Sequence, residues 1–265
     1  MKELEINGTK LEIDQLKTRS FLDKIVYPIA IIDFETFRIF KKNSLSPKAK
    51  TDLFEKIFSV AVVIFNKPND LQGHNLDAKK IKLFAKTELP KEKNLNTLEI
   101  IIPFQELFYN FLIKKLIKYR VKSLITLDAH TETNLLKAYL TYFDGHKKLK
   151  NKVNYFFQEN KIFDLYDIWN NDQIVNLPEY KNKSVTTNRV GATKKTSLLI
   201  NNNHDYLKLL KPKSVISNYE IGRTIDSYFT NRICLLSNFL SYVSDHNQND
   251  VLTGAAILVF LYRYC

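Results

Sequence analysis

The stretch YPIAIIDFET, residues 27–36, decides how the chain is organised. Its run up to Phe34 is apolar and rich in β-branched side chains, which is typical of a strand buried on both faces. Asp33 and Glu35 are two residues apart, so in a strand their carboxylates share one face. Such a pair repels unless a cation offsets its charge, and hard oxygen ligands suit Mg²⁺ or Mn²⁺. The pattern predicts a metal-binding strand end; a solvated acidic turn is the alternative.

Five further apolar runs, all later in the chain, predict additional strands. Residues 57–65 have the same buried character and stop at a cluster of turn residues, so we expect them to form the antiparallel neighbour. Residues 81–85 alternate Lys with apolar side chains, as an edge strand does. Further strands are predicted at 98–102, 123–127 and 162–168.

Helical spacing of apolar residues appears between and after these strands. Pro103 suits the first position of a helix, and large apolar residues follow it at intervals of three and four. A second amphipathic helix follows residue 128, and further helices are predicted at 225–243 and 250–262. The order of elements predicts an α/β fold, with a mixed sheet flanked by helices on both faces.

The remaining segment, at about 169–219, is rich in Asn, Lys, Thr and Ser and has no clear periodicity. We interpret the chain as a single domain, 1–265, with an irregular insertion here. The insertion is either a phosphate-contacting arm or a solvated loop. Its lysines of interest are Lys194, Lys195, Lys208, Lys211 and Lys213.

The composition indicates which class of binding partner and which cellular compartment to expect. The formal net charge is +12 and the sequence pI is near 9.4, which favours polyanions, with nucleic acid the leading candidate. The alternative is that abundant lysine only confers solubility. Cys234 and Cys265 cannot form a disulfide framework or a zinc site, which predicts a reducing cytoplasm. The charged start argues against a signal peptide and the apolar runs are short, so we expect no membrane partner.

The hexapeptide at 31–36, Ile-Ile-Asp-Phe-Glu-Thr, resembles the first motif of the DEDD exonuclease superfamily. In that family Asp-x-Glu-Thr closes the first strand of a ribonuclease-H-like sheet. The resemblance implies a 3′→5′ exonuclease that uses two Mg²⁺ or Mn²⁺ ions. It also implies that the substrate is a DNA or RNA 3′ end and that the product is a nucleoside 5′-monophosphate.

A second acidic motif is expected after a later strand, at the head of a helix, with the family pattern Asn-x-x-Phe-Asp. The chain offers Asp128, Thr131 and Glu132 in the Asn, Phe and Asp positions. The resemblance therefore implies that Glu132 takes the place of a metal-coupling Asp. The alternative needs no metal: Asp128 caps the helix, and Glu132 interacts with the helix dipole in its first turns.

A third motif is expected on a helix near the C-terminus, and His246 and Asp250 fit that place. Four positions apart on a helix, these two side chains share a face. The histidine branch of the family usually has four residues between His and Asp, whereas three separate them here. The alternative is a polar loop in which Asn249 or Asp250 caps the following apolar helix.

Together the resemblance assigns a role to each motif. Asp33, Glu35 and Asp250 would bind the ions, Glu132 would support the second ion, and His246 would deprotonate the attacking water. Next to the first motif, Thr36, Phe37 and Arg38 are candidate contacts to nucleic acid. Two other hypotheses remain: a catalytically inactive nucleic-acid-binding module of the same fold, and a scaffold protein whose charge only confers solubility.

Overall fold

The computed structural model describes residues 1–38, 55–72, 80–90, 98–127, 129–143, 147–168, 174–178, 199, 218–229 and 238–264. Over these residues the chain has an α/β fold with one five-stranded mixed sheet and one three-stranded sheet. Among the helices described there, none combines the length and the apolar character that a membrane span requires.

The strands are β1 (Lys2–Ile6), β2 (Thr9–Ile13), β3 (Ile29–Arg38), β4 (Glu55–Phe65), β5 (Lys82–Thr87), β6 (Ser123–Thr126), β7 (Ile162–Asp164) and β8 (Val175–Asn176). The helices are α1 (Gln15–Asp23), α2 (Asn69–Gln72), α3 (Leu98–Lys118), α4 (Ala129–Tyr142), α5 (Lys147–Gln158), α6 (Asn218–Phe229) and α7 (Phe239–Tyr264).

Strand β3, the strand with the acidic pair, lies in the middle of the five-stranded sheet, whose order is β5-β4-β3-β6-β7. It pairs antiparallel with β4 and parallel with β6, and β5 forms one edge. The predictions of an antiparallel neighbour at 57–65 and an edge strand at 81–85 are therefore confirmed. The small sheet has the order β1-β2-β8, and its apolar residues belong to the same hydrophobic cluster as Ile29 and Ile31.

Helices cover both faces of the large sheet, as predicted. On one face, Ile29 and Ile31 of β3 pack in a cluster with α1 and the C-terminal half of α7. On the other face, Ala30 and Ile32 pack in a second cluster with α3, α4, α5 and α6. Because successive residues of β3 feed opposite clusters and all four are fully buried, the strand is held from both sides.

Two of the predicted strands are wrong, one entirely and one in part. Residues 98–102 begin helix α3, and Pro103 lies inside that helix instead of starting it. Ile101 is buried with Phe104 and Phe108, so the short apolar run continues a helical stripe, which its length alone could not distinguish from a strand. The strand predicted at 162–168 ends at Asp164, and a 3₁₀ turn follows over Leu165–Ile168.

The C-terminal helices also differ from the prediction. Helix α6 begins at Asn218, and α7 runs without a break from Phe239 to Tyr264, through the polar residues that separated the two predicted helices. Part of the segment predicted to be irregular is ordered, since Val175 and Asn176 form β8 against β2. Apart from 174–178, 199 and 218–219, the insertion and its lysines lie outside the described residues.

Helix α7 approaches β3 closely at Gly254. A Cβ atom at that position would lie 2.8 Å from Cγ2 of Ile31 and 3.4 Å from Cδ1 of Leu165. Ile31 is fully buried and β-branched, so it cannot move away easily. The missing side chain therefore sets the distance between α7 and the strand that carries the acidic pair.

We expect Gly254→Leu to lower the free energy of unfolding by about 1–3 kcal/mol, because the new side chain overpacks this contact. Gly222→Ala on α6 is the matched control, since in the described part of the chain no atom beyond its own helix backbone and chain neighbours lies within 4 Å of the added Cβ. It should be neutral or stabilise by up to about 1 kcal/mol through helix propensity. Urea denaturation measures both. Equal stability of the Gly254→Leu variant and the wild type would contradict the close approach.

Candidate metal centre

The acidic pair inside β3 and the middle of α7 meet on one side of the sheet. Asp33 and Glu35 point to the face that α7 covers, because they continue the alternation of Ile29 and Ile31. On α7, the fully buried Val251 and Ala255 join the cluster of Ile29 and Ile31. The polar residues that precede Val251 on α7 therefore lie beside the acidic pair of β3.

Three side chains converge there. Nε2 of His246 lies 3.4 Å from Oε1 of Glu35 and 3.4 Å from Oδ2 of Asp250. One potential ligand atom from each residue falls within 4.8 Å of the other two. The side chains of Glu35, His246 and Asp250 are 13%, 21% and 30% exposed, so the group is mostly buried but still reachable from solvent.

His246 and Asp250 are one helical turn apart inside α7. The sequence alternative, in which they form a polar loop followed by a cap, is therefore wrong. Nothing in this segment breaks the helix, since it contains neither Gly nor Pro, and the buried Val243 and Val251 anchor it on both sides.

Asp33 is held by a residue that the sequence interpretation did not single out. Nδ2 of Asn247 donates a hydrogen bond of 2.8 Å to Oδ2 of Asp33. Asn247 is fully buried, and its Oδ1 has no hydrogen-bond partner within the described part of the chain. A sequence signal did exist: Asn247 lies four residues from both Val243 and Val251, so it is a polar residue on the buried stripe of the helix.

The acids at this site are electrostatically strained. Burial, and then the charge of Asp33, raises the pKa of Glu35 to about 8. Burial, and then the charge of Glu35, raises the pKa of Asp250 to about 7. Burial and Asp250 also raise the pKa of Asp33, although a backbone hydrogen bond from Phe34 opposes part of that shift. A divalent cation would remove this repulsion and favour the ionised carboxylates.

Burial lowers the pKa of His246, which favours the neutral imidazole. The uncharged ring offers one nitrogen lone pair. Nε2, which lies between the two carboxylate oxygens, has no hydrogen-bond partner within the described residues. That atom can accept a proton from water or bind a cation.

The raised pKa values predict that stability in a chelator falls as the pH rises. The folded pKa is about 8 against an ordinary 4.5 for Glu35, and about 7 against 3.8 for Asp250. Their contribution to stability is therefore complete below about pH 4 and is lost as the pH rises through about 7 to 8. In EDTA, the melting temperature of the wild type should fall relative to Glu35→Gln between about pH 5 and 8. A difference that stays constant with pH would contradict the shift.

Glu132, the acid expected in the second motif, is not one of these three residues. It is 4% exposed in the first turn of α4, the helix that follows β6. The cluster of potential ligands found among the described residues does not include it. Oδ2 of Asp164 accepts a hydrogen bond of 3.0 Å from the backbone N–H of Ala129, so an acid from β7 satisfies the start of α4. Asp128, the alternative cap, lies outside the described residues.

Phe37, a candidate contact to nucleic acid, is buried. The pairing of β3 with β4 shifts by one residue between Glu35 and Thr36, where Phe58 of β4 is the extra residue, and Phe37 packs in the cluster on the face opposite Glu35. The ring is 3% exposed and stacks on Phe229 at 4.7 Å. Thr36 is partly buried, and the side chain of Arg38 lies outside the described residues.

No family model and no curated protein matches the chain. The resemblance to the DEDD exonucleases therefore rests on the motif residues and on the order in which they occur.

Proposed function

We propose that this protein is a metal-dependent 3′→5′ exonuclease with a ribonuclease-H-like fold. One observation carries the proposal: Glu35, His246 and Asp250 are more than 200 residues apart at the extremes, yet their ligand atoms lie within 4.8 Å of one another. The mixed sheet supports it, with the Asp-x-Glu motif inside its central strand and a C-terminal helix packed against that strand.

The residues present fit a divalent cation. Glu35 and Asp250 would hold one ion, with Asp33 beside them, and Glu132 would support a second ion as the resemblance implies. Bound ions of this kind lower the pKa of water and stabilise the charge that develops on a phosphate. The chain itself contributes the fixed positions of the carboxylates and the exclusion of bulk water by β3 and α7.

Nucleic acid is the proposed substrate because the net charge of +12 favours a polyanion. The acidic centre needs such help, since its own carboxylates repel phosphate until cations are bound. We place this activity in the cytoplasm, which suits a chain with two cysteines among 265 residues.

An inactive nucleic-acid-binding module of the same fold is the second candidate. The observation that favours it is that Glu132 is absent from the cluster of three, so the ligand set for a second ion is incomplete there. Such a module would bind oligonucleotides in a salt-dependent manner but would release no mononucleotide with either Mg²⁺ or Mn²⁺.

End-labelled DNA and RNA oligonucleotides test the proposal. The wild type should release nucleoside 5′-monophosphates from the 3′ end with Mg²⁺ or Mn²⁺ and should release none in EDTA. Replacing Asp33 with Ala should abolish this activity while leaving the fold intact by circular dichroism. Undiminished activity of Asp33→Ala would refute the assignment, because the activity would then come from another site or a contaminant.

A further inference from the structure

The resemblance gives His246 the role of a base, but the distances from its Nε2 to two carboxylate oxygens fit a metal ligand. Two ligands bound at about 2.1 Å to one ion lie about 3.0 Å apart in an octahedral cis arrangement and about 3.4 Å apart in a tetrahedral one. Nε2 lies 3.4 Å from an oxygen of Glu35 and 3.4 Å from an oxygen of Asp250. A base that takes a proton from a metal-bound water would instead stand one shell further out.

The spacing of the third motif explains this position. Residues four apart on a helix lie one turn apart on the same face, so His246 and Asp250 aim at the same point. Asp245 has the spacing to Asp250 that the family's histidine usually has. It is rotated from His246 by about 100° around the helix axis. The shorter spacing therefore brings the imidazole onto the ion instead of beside it.

Asn247, the residue next to His246 on α7, binds the other acid of the β3 pair. Asn247 donates to Oδ2 of Asp33 at 2.8 Å, which engages one oxygen of that carboxylate. Asp33 is not a member of the three-residue ligand group in the described part of the chain, which His246 completes. Second-shell hydrogen bonds of this kind orient carboxylates around a metal and affect its affinity.

We infer that Nε2 of His246 is a direct ligand of the cation held by Glu35 and Asp250, and that the site favours a first-row transition ion over Mg²⁺. Imidazole nitrogen binds transition ions well, whereas Mg²⁺ prefers oxygen. The inference rests on the proposed function only in that both require a cation here. In this arrangement His246 does not serve as the base.

Pulsed electron paramagnetic resonance on the full chain tests the inference, with Mn²⁺ alone as the probe. The wild type loaded with less than one equivalent of Mn²⁺ should show the ¹⁴N coupling of a directly bound imidazole. His246→Gln should lose this coupling, and its Kd for Mn²⁺ should rise by about tenfold or more. The Kd for Mg²⁺ should change much less, since the lost ligand is a nitrogen.

His130→Gln is the matched control, because His130 is an exposed histidine on α4 and should leave both the coupling and the Kd unchanged. Circular dichroism checks that each variant is folded. The inference is overturned if wild-type Mn²⁺ shows no ¹⁴N coupling, if the wild type binds no Mn²⁺, or if His246→Gln keeps its Kd within about twofold. Because no nucleic acid is used, ¹⁴N coupling in a protein that degrades no oligonucleotide would sink the exonuclease proposal and leave this inference standing.

Discussion

Glu35→Gln is expected to reduce the rate of mononucleotide release by about a thousandfold or more, equivalent to about 4 kcal/mol of transition-state stabilisation. The amide keeps the shape of the side chain but removes a charge from the cluster that includes His246 and Asp250. The measurement is the initial rate on an end-labelled oligonucleotide at saturating Mn²⁺. Glu3→Gln, on the exposed hairpin strand β1, should have the wild-type rate.

The same variant should be more stable than the wild type in EDTA at about pH 8, because it removes a buried carboxylate whose pKa is raised. Loss of activity with a gain of stability is the signature of a strained functional site. A Glu35→Gln variant that retains wild-type activity would remove Glu35 from the centre. A variant that loses both activity and stability would indicate a structural role instead.

Asn247→Asp should have the largest effect on stability. The substitution places a carboxylate at a fully buried position, 2.8 Å from Oδ2 of Asp33 in the present geometry. An uncompensated buried charge costs about 3–5 kcal/mol. We expect the free energy of unfolding in EDTA to fall by about that amount and to be partly restored by Mn²⁺, which neutralises the added charge.

Asn247→Leu separates charge from packing. It has a similar branched shape but a larger volume, and it removes the hydrogen bond to Asp33 without adding charge, so a smaller loss of about 1–3 kcal/mol is expected. Added Mn²⁺ should rescue this variant less than it rescues Asn247→Asp. Chemical denaturation with and without Mn²⁺ measures both. Equal rescue of the two variants would argue that Asn247 does not face the cation site.

Strand β3 and its neighbours were predictable because their apolar runs are long and have turn residues at their ends. Residues 98–102 were not, since five apolar and acidic residues fit a strand as well as a helix. What decides for α3 is tertiary: Ile101 packs with Phe104 and Phe108 against the sheet. Local pattern therefore gave the sheet centre but not the boundaries of the helices that cover it.

The β1–β2 hairpin has a clear sequence signal, although it was not among the predicted strands. Asn7 and Gly8 have φ values of 49° and 72°, which is the left-handed pair that a tight hairpin turn requires. Asn-Gly between two alternating runs is a strong hairpin signal. By contrast, strand β8 has only two residues and is defined by its pairing with β2, so no local sequence pattern predicts it.

At the site, the order of the motifs predicted Glu35, His246 and Asp250 as site residues. Helical geometry predicted that His246 and Asp250 share a face. The position of Phe37 was not predictable, because simple strand alternation puts it on the face of Glu35, whereas it packs in the cluster on the opposite face, beyond the register shift at Phe58 of β4. Nor could sequence place Nε2 of His246 between the oxygens of Glu35 and Asp250, since that distance depends on how closely α7 packs on β3.

The central claim is that Glu35 and Asp250, with His246 between them, form a cation site. Anomalous diffraction from a crystal soaked in Mn²⁺ tests it most directly. The account predicts an anomalous peak about 2.0–2.3 Å from a carboxylate oxygen of Glu35, one of Asp250 and Nε2 of His246. Well-ordered side chains with no peak among them would contradict it.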